Sequence, residues 1–548
     1  MNYYIGVDVG TGSARAALFD ENGKLLKIAT NVIKTFNYLS DYYEQSSDDI
    51  WNSVKKVVKE VVGEISNEYI KGIGFDATCS LVLLDDAGKP VTASLTGDDE
   101  RNIILWMDHR AEMEASIINQ MNHEVLKFVG GKISLEMEIP KIMWLKKNLP
   151  DTFKRVKLYF DLPDFLTWKA TGSESRSLCS LVCKWNYNAN EFGINGWNED
   201  YLTKIGLSCL KENNWKKIGN IVKAPGEPIE NGLTALAAAE FGLKEGTPVG
   251  TSIIDAHAGG LGMIGISSKD NPKISKLFSS RLSLICGTST CHMAVSSKPI
   301  FVNGIWGPYW GAMIPQYYLN EGGQSTTGKL IDHIINNHPA TIEINKKINN
   351  TNIHIQEYLT NLLINYANDK NINDISYLTN DIHIWPDFHG NRSPLADPNL
   401  QGMICGLTLN NDEYNLAIIY LATLQSIIYG TKHIFNYLNN NGYDIKTILI
   451  CGGLSKNFLF CKIHADAIGV PVLIPDNCES VLLGSAILGA CASKKFDNID
   501  NAIFNMSGNA NVIEPDKKIN QYHEKKYKVF LKMVQDQKEY KKIMNENI

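Results

Sequence analysis

Short apolar runs broken by polar, glycine-bearing turns set the pattern at the start of the chain. Tyr3–Val9 and residues 14–19 are apolar, and Gly10, Thr11, Gly12 and Ser13 separate them, which predicts strand, tight turn, strand. A third strand-like run reaches residue 34 after Asp20-Glu21-Asn22-Gly23, whose Asn-Gly is a strong hairpin signal, so a β-meander is expected. Ser46 stands three residues ahead of Asp49 like a capping box, and Ile50, Trp51, Val54, Val57, Val58 and Val61 follow at helical spacing. Residues 71–75 read as a further strand and Leu81–Leu84 as another, with the polar stretch Asp76-Ala77-Thr78-Cys79-Ser80 between them. That stretch reads as the edge of a site or as a simple turn capped by Asp76.

Later segments repeat the theme. Residues 247–265 place Asp255 at the end of an apolar strand and the start of a helix of small residues. Residues 282–295 echo the opening: apolar strand, Gly287-Thr288-Ser289-Thr290, apolar strand, with Ile285 where the first copy has Asp8. Residues 447–450 lead into Cys451-Gly452-Gly453-Leu454-Ser455-Lys456-Asn457, and an amphipathic helix is expected around 411–438. Residues 335–380 are rich in Asn, Ile and Lys, which predicts a surface insertion, and 386–394 is turn-rich. Charged helical stretches begin near residue 496.

Each motif admits more than one chemistry. Glycines and hydroxyls in the first turn, with Arg15 beside them, suit a phosphate cradle, and Asp8 suits a hydrated divalent cation; the same residues also make an ordinary hairpin. Trp106-Met107-Asp108-His109-Arg110 offers an aromatic wall beside hydrogen-bonding groups, as a polyhydroxylated ligand needs, unless Asp108 caps the next helix and Arg110 is a surface charge. Lys184-Trp185 is a second candidate wall. Asp255 is placed to act as a general base while capping its helix, and His257 reads as packing. Glu321 is an acceptor for sugar hydroxyls. Residues 323–330 nearly spell a P-loop, but Leu330 stands where a metal-binding hydroxyl is required. The glycine pair Gly452-Gly453 lets a flat ring approach the backbone, with Asn457 to hydrogen-bond it.

Composition narrows the classes. A chain of 548 residues exceeds one core, so two large domains are expected. Its formal net charge of −6 supplies no basic field for nucleic acid. No run of about 18 apolar residues and no basic, apolar leader is present, which points to a soluble cytoplasmic protein without a membrane partner. The 11 Cys are scattered without C-x-x-C pairs and read as buried residues, not disulfides or zinc ligands. Oligomeric state, including a homodimer, is left open.

Together Asp8-Val-Gly-Thr-Gly-Ser-Ala-Arg15, Asp255-Ala-His-Ala-Gly259, Cys286-Gly-Thr-Ser289 and Cys451-Gly-Gly-Leu-Ser-Lys-Asn457 resemble the FGGY carbohydrate kinase family, over about residues 3–495. The resemblance implies an α/β protein of two ribonuclease-H-like domains, of the actin and hexokinase ATPase type, with a cleft between them. It implies a sugar- and metal-binding N-terminal domain at 1–265, an ATP-binding C-terminal domain at 271–495 and a helical extension at 496–548. Asp8 would order Mg²⁺; Thr11, Gly12, Ser13 and Arg15, with Gly287, Thr288 and Ser289, would face the phosphates of ATP. Gly452, Gly453 and Asn457 would hold the adenosine part. Asp255 would be the catalytic base, and Ala77, Trp106, Asp108, Lys184, Asp255 and Glu321 would bind the sugar. Asp255-Ala-His-Ala-Gly, Lys184-Trp185 and Glu321-Gly-Gly-Gln-Ser325 resemble the ribulokinase-like branch, and residues 78–82 resemble its D-ribulokinase subgroup. The expected reaction is phosphorylation of a ketopentose on its terminal hydroxyl, D-ribulose first, with L-ribulose, D-xylulose or a pentitol as alternatives. A different class, an actin- or chaperone-like ATPase switch, shares the same core.

Overall fold

The computed structural model of the chain describes residues 2–268, 271–476 and 479–546. The opening strands are β1 (Tyr3–Val9), β2 (Ser13–Asp20) and β3 (Leu25–Val32), followed by β4 (Phe36–Leu39) and β5 (Tyr42–Gln45). Next come β6 (Ile70–Ala77), β7 (Leu81–Leu84), β8 (Ile103–Ile104), β9 (Leu158–Asp161) and β10 (Ile253–Ile254). The chain divides into two compact units: Met1–Ser267, Met293–Asn320 and Pro475–Asn509 form the first, and Ser268–His292, Glu321–Ile474 and Ala510–Ile548 the second.

In the first unit the main sheet has the order β10-β6-β1-β2-β3. The meander is present: β1 pairs antiparallel with β2, and β2 with β3. β6 returns parallel to β1, which requires a crossover, and the helix Ser47–Val62 provides it. Ser46 caps that helix by accepting from the Asp49 N–H, as the capping pattern predicts, and Ile50, Val54, Val57, Val58 and Val61 are fully buried. A second sheet, β4-β5-β8-β7-β9, lies in the same unit.

The other face of the main sheet takes the helix Ser480–Ala492, which is remote from these strands in sequence. Its small residues allow very close approach. A Cβ on Gly6 would stand 1.9 Å from the Leu482 carbonyl oxygen, one on Gly74 1.9 Å from that of Ser485, and one on Gly484 2.0 Å from that of Ala258. This packing brings Pro475–Asn509 into the first unit, whereas order along the chain places residues up to 495 with the second domain. Backbone contact with glycine strands outweighs position along the chain.

The strands β11 (Arg281–Cys286), β12 (Thr290–Ser296), β13 (Tyr318–Gln324), β14 (Thr447–Cys451), β15 (Val472–Pro475) and β16 (Ala510–Ile513), wholly or in part in the second unit, run β13-β12-β11-β14-β15-β16 in a seven-stranded sheet whose remaining strand, Trp306–Trp310, lies beside β13. β11 and β14 are parallel, as are β14 and β15. The expected long helix is Glu413–Asn440. The biased segment 335–380 folds into helices, of which Ile355–Asp369 buries Leu359, Leu363 and Ala367. The C-terminal helix Lys517–Asn545 is part of this unit's core. Phe530 packs on Trp385 at 4.4 Å between rings, and Lys526 Nζ donates to the Thr379 and Ile382 carbonyls at 2.6 Å each. No described helix is long and apolar enough to cross a membrane. None of the ten described cysteines is in a disulfide; the eleventh, Cys478, lies outside the described residues.

Candidate active site

Three acids end three neighbouring strands of the first unit. Asp8 on β1 stands opposite Asp76 on β6 in the parallel register, and Asp76 stands opposite Ile253 on β10, just before Asp255. Asp8 and Asp76 are 3% and 0% exposed. Asp76 Oδ2 accepts from Ser485 Oγ, while Oδ1 is buried with no donor among the described residues. Burial first, then the adjacent Asp8 carboxylate and more weakly Asp255, hold the Asp76 carboxyl well above the usual carboxylate range. A buried oxygen without a donor beside a second carboxylate suits a cation or a shared proton, so these residues fit a hydrated Mg²⁺. Sequence reasoning misses Asp76 as a metal candidate, although a signal is present: Ile5-Gly6-Val7-Asp8 and Ile73-Gly74-Phe75-Asp76 follow one pattern.

The turn after β1 is closed by the Gly10 N–H donating to the Ser13 carbonyl at 3.0 Å. Gly12 is exposed, and a Cβ there would meet nothing within 4 Å, so the turn's backbone is open to a ligand. Arg15 donates from Nε to Asp8 Oδ2 at 2.8 Å and from Nη1 to Glu479 Oε2 at 2.9 Å, so its charge is shared among carboxylates. The Trp106 indole N–H donates to Thr11 Oγ1 at 3.0 Å, which ties the predicted aromatic wall to this turn.

Asp255 is half-buried at the first position of the helix Asp255–Met263, its Oδ1 accepting from the Ala256 N–H at 2.7 Å. Ala77 is fully buried, paired in register with Ile254. Lys184 ends the helix Leu178–Lys184, its Nζ 3.7 Å from Glu136 and 4.5 Å from the Trp306 ring centroid. A buried knot joins that helix to the Asp255 strand: Asp164 Oδ1 accepts from the Ser177 N–H at 2.8 Å and from Ser252 Oγ at 3.0 Å, and Ser177 Oγ donates to the Ser252 carbonyl at 2.6 Å.

Asp108 has a different role from the one expected. Its Oδ1 accepts from Arg110 N and Nε, and its Oδ2 from Arg110 Nη2 and the Tyr43 N–H, which fills its four acceptor positions. Arg110 is buried, also bonded to Glu44 and stacked on Tyr42 at 4.4 Å, so it is not a surface charge, and Asp108 does not cap the following helix. The buried guanidinium takes two of its lone pairs and backbone N–H groups take the other two.

In the second unit, Gly287 and Thr288 are exposed and Ser289 half-buried in the turn between β11 and β12. Gly452 follows β14 with φ +89°, and a Cβ there would stand 2.4 Å from the Cys286 carbonyl oxygen, so the two glycine turns adjoin. Gly453 is exposed with open space around it. The near-P-loop is excluded as a phosphate cradle: Thr327, Gly328 and Lys329 donate their N–H groups to the Gly287 and Thr288 carbonyls. Glu321 on β13 is buried in an ion pair with Arg392. Asn457 is less available than expected. Its Oδ1 caps the helix Phe458–Ile468 at the Phe460 N–H, and its Nδ2 donates to Tyr420 Oη at 2.7 Å and Gln356 Oε1 at 3.3 Å. Glu321 belongs to the second unit and the other sugar candidates to the first.

Comparison with known proteins identifies the family. The family model described as FGGY family of carbohydrate kinases, N-terminal domain, matches residues 3–262, and its C-terminal counterpart matches 282–493. An FGGY carbohydrate kinase domain-containing protein of Xenopus laevis is 50% identical, covering 99% of this chain and 98% of its own length. A D-ribulokinase of Saccharomyces cerevisiae is 41% identical over 90% of this chain and 72% of its own. Among solved structures, gluconate kinase from Lactobacillus acidophilus superposes with a TM-score of 0.78 at 17% identity, covering 98% of each chain. With both domain models spanning nearly its whole length, this chain is a member of the FGGY family of carbohydrate kinases.

Proposed function

We propose that this chain phosphorylates the terminal hydroxyl of a ketopentose with ATP, converting D-ribulose to D-ribulose 5-phosphate. The observation that carries the reading is the row of strand-end acids Asp8, Asp76 and Asp255 beside the open Gly10–Ser13 turn in one unit. Identity of 41% to a D-ribulokinase supports the substrate.

On this reading Asp255 accepts the proton of the attacking hydroxyl, whose oxygen forms the new bond to the γ-phosphorus as the bond to the ADP oxygen breaks. The proton then leaves Asp255 for solvent. Asp8 and Asp76 would hold Mg²⁺, which supplies neutralisation of phosphate charge. Thr11, Gly12 and Ser13 present backbone and hydroxyl donors to the phosphates, and Arg15 keeps Asp8 oriented. Within the second unit, Gly287, Thr288 and Ser289 are the candidates for phosphate contact, and Gly452 and Gly453 for the adenosine part. Ala77, Trp106 and Lys184 are the sugar candidates of the first unit and Glu321 that of the second; Asp108 holds Arg110 and the Tyr43 backbone in place, and Asn457 supports its helix.

Initial-rate assays with coupled ADP detection on D-ribulose, L-ribulose, D-xylulose and the pentitols test this. D-ribulose is expected to give the highest kcat/KM. A higher value for another sugar refutes the substrate, and no stimulation above the background ATPase by any of them refutes the kinase role for small polyols.

A further inference from the structure

Cys179, Cys183 and His257 converge in the interior of the first unit. The two cysteines are four residues apart on one face of the helix Leu178–Lys184, and His257 is the third residue of the helix Asp255–Met263. One ligand atom from each lies within 4.8 Å of the others, Cys183 Sγ is 3.3 Å from His257 Nε2, and all three residues are buried. We propose that Cys179, Cys183 and His257 bind one Zn²⁺, clasping together the two helices that carry Lys184 and Asp255.

Zinc bonds of about 2.3 Å to sulfur and about 2.0 Å to nitrogen put ligand atoms roughly 3.5–3.8 Å apart in a tetrahedron. Cys183 Sγ and His257 Nε2, 3.3 Å apart, are close to that spacing, and no two of the three ligand atoms are more than 4.8 Å apart. Two thiolates and an imidazole are soft donors of the kind that select Zn²⁺ or Cu⁺. Charge favours zinc: two thiolates cancel the dication, whereas Cu⁺ would leave a net anion in a buried site. Three protein donors match the donor count of open zinc sites, with water as the fourth. Binding displaces both thiol protons to the buffer. The spacing C-x-x-x-C is that of one helical face and differs from the C-x-x-C of common zinc motifs, so only the packing of the His257 helix exposes the cluster.

The consequence is mechanical. Zinc would fix the register of the Lys184 helix against the Asp255 helix, stiffening both from behind whatever the sugar. The full-length protein, reduced and stripped with chelator, is titrated with Zn²⁺ against a chromophoric chelator, with pH-stat proton counting. One Zn²⁺ per chain and about two protons released are expected. C179S/C183S should weaken binding by at least about tenfold, the scale on which even indirect partners of a zinc ligand act. Zinc should raise the melting temperature of the wild type and not of this variant. Because the double substitution alters the interior by itself, thiol footprinting of the unaltered protein in denaturant below its unfolding midpoint, where transient opening exposes buried thiols, provides an independent readout: zinc should slow labelling of Cys179 and Cys183 and leave the exposed Cys405 reactive. Absence of stoichiometric binding, or protection confined to other cysteines, overturns the proposal, as does saturation by Cu⁺ but not Zn²⁺.

Discussion

Asp8 and Asp76 face one another from adjacent parallel strands, both buried, with Arg15 bonded to the first and Ser485 to the second. Two carboxylates so placed do not both ionise without a cation between them, and burial together with the Asp8 charge keeps Asp76 protonated well above its ordinary range. Asp76→Asn replaces a carboxyl already held neutral by an amide of the same shape, removes its ability to ionise against a cation, and keeps an oxygen for Ser485. We therefore predict a change in stability within about 1 kcal/mol and weakened Mn²⁺ binding, read by thermal melts and by EPR titration without sugar. Unchanged Mn²⁺ affinity would remove Asp76 from the cation site.

Asp255→Asn removes the proton acceptor but leaves the helix start in place. The expected result is a loss of about 10²–10⁴ in kcat, the usual contribution of general base catalysis, with ATP binding by calorimetry nearly unaltered. Near-normal turnover contradicts its role.

Gly484 and Gly12 predict opposite outcomes for the same change. A Cβ on Gly484 would overlap the Ala258 carbonyl, so Gly484→Ala should cost several kcal/mol, above the roughly 1–3 kcal/mol of ordinary overpacking. Gly12→Ala meets nothing within 4 Å and should melt as the wild type does, while raising the KM for ATP. Comparable melting temperatures for the two variants would count against the close helix packing.

Arg392→Met strips the buried Glu321 of its guanidinium partner. Breaking a buried ion pair from one side costs about 3–5 kcal/mol, so the variant should unfold at distinctly lower denaturant than the double variant Arg392→Met with Glu321→Gln, which removes both charges. Equal midpoints for the two would show that the pair is not coupled.

Asp164 supplies a pH dependence. Burial, opposed by Arg176 and by its hydrogen bonds, pushes its carboxyl up to about 6 from 3.8. A folded-state value above the unfolded one means that its contribution is fully present below about pH 4 and is lost as pH rises through about 6, by roughly 3 kcal/mol in all. Asp164→Asn keeps the acceptor for Ser177 and Ser252 and should abolish that loss, so the melting temperature of the variant should gain on the wild type between pH 4 and 6. Parallel curves would refute the shift.

The strands, the opening turn, its echo at Gly287 and the acid at the head of the Asp255 helix were all legible in the chain, because continuous apolar runs, turn glycines and strand-end acids are local chemistry. The family followed from their order. Tertiary structure alone decided what those residues are bonded to. Asp76 became a partner of Asp8 through sheet register and of Ser485 through a contact across 409 positions. Asp108 was spent on the buried Arg110, and Asn457 on Tyr420 and a helix cap. The helix Ser480–Ala492 joined the first unit because glycines in β1 and β6 admit its backbone, and Cys179, Cys183 and His257 met where two helices pack. Side-chain lone pairs and contact distances depend on residues distant in sequence, so periodicity carries no trace of them.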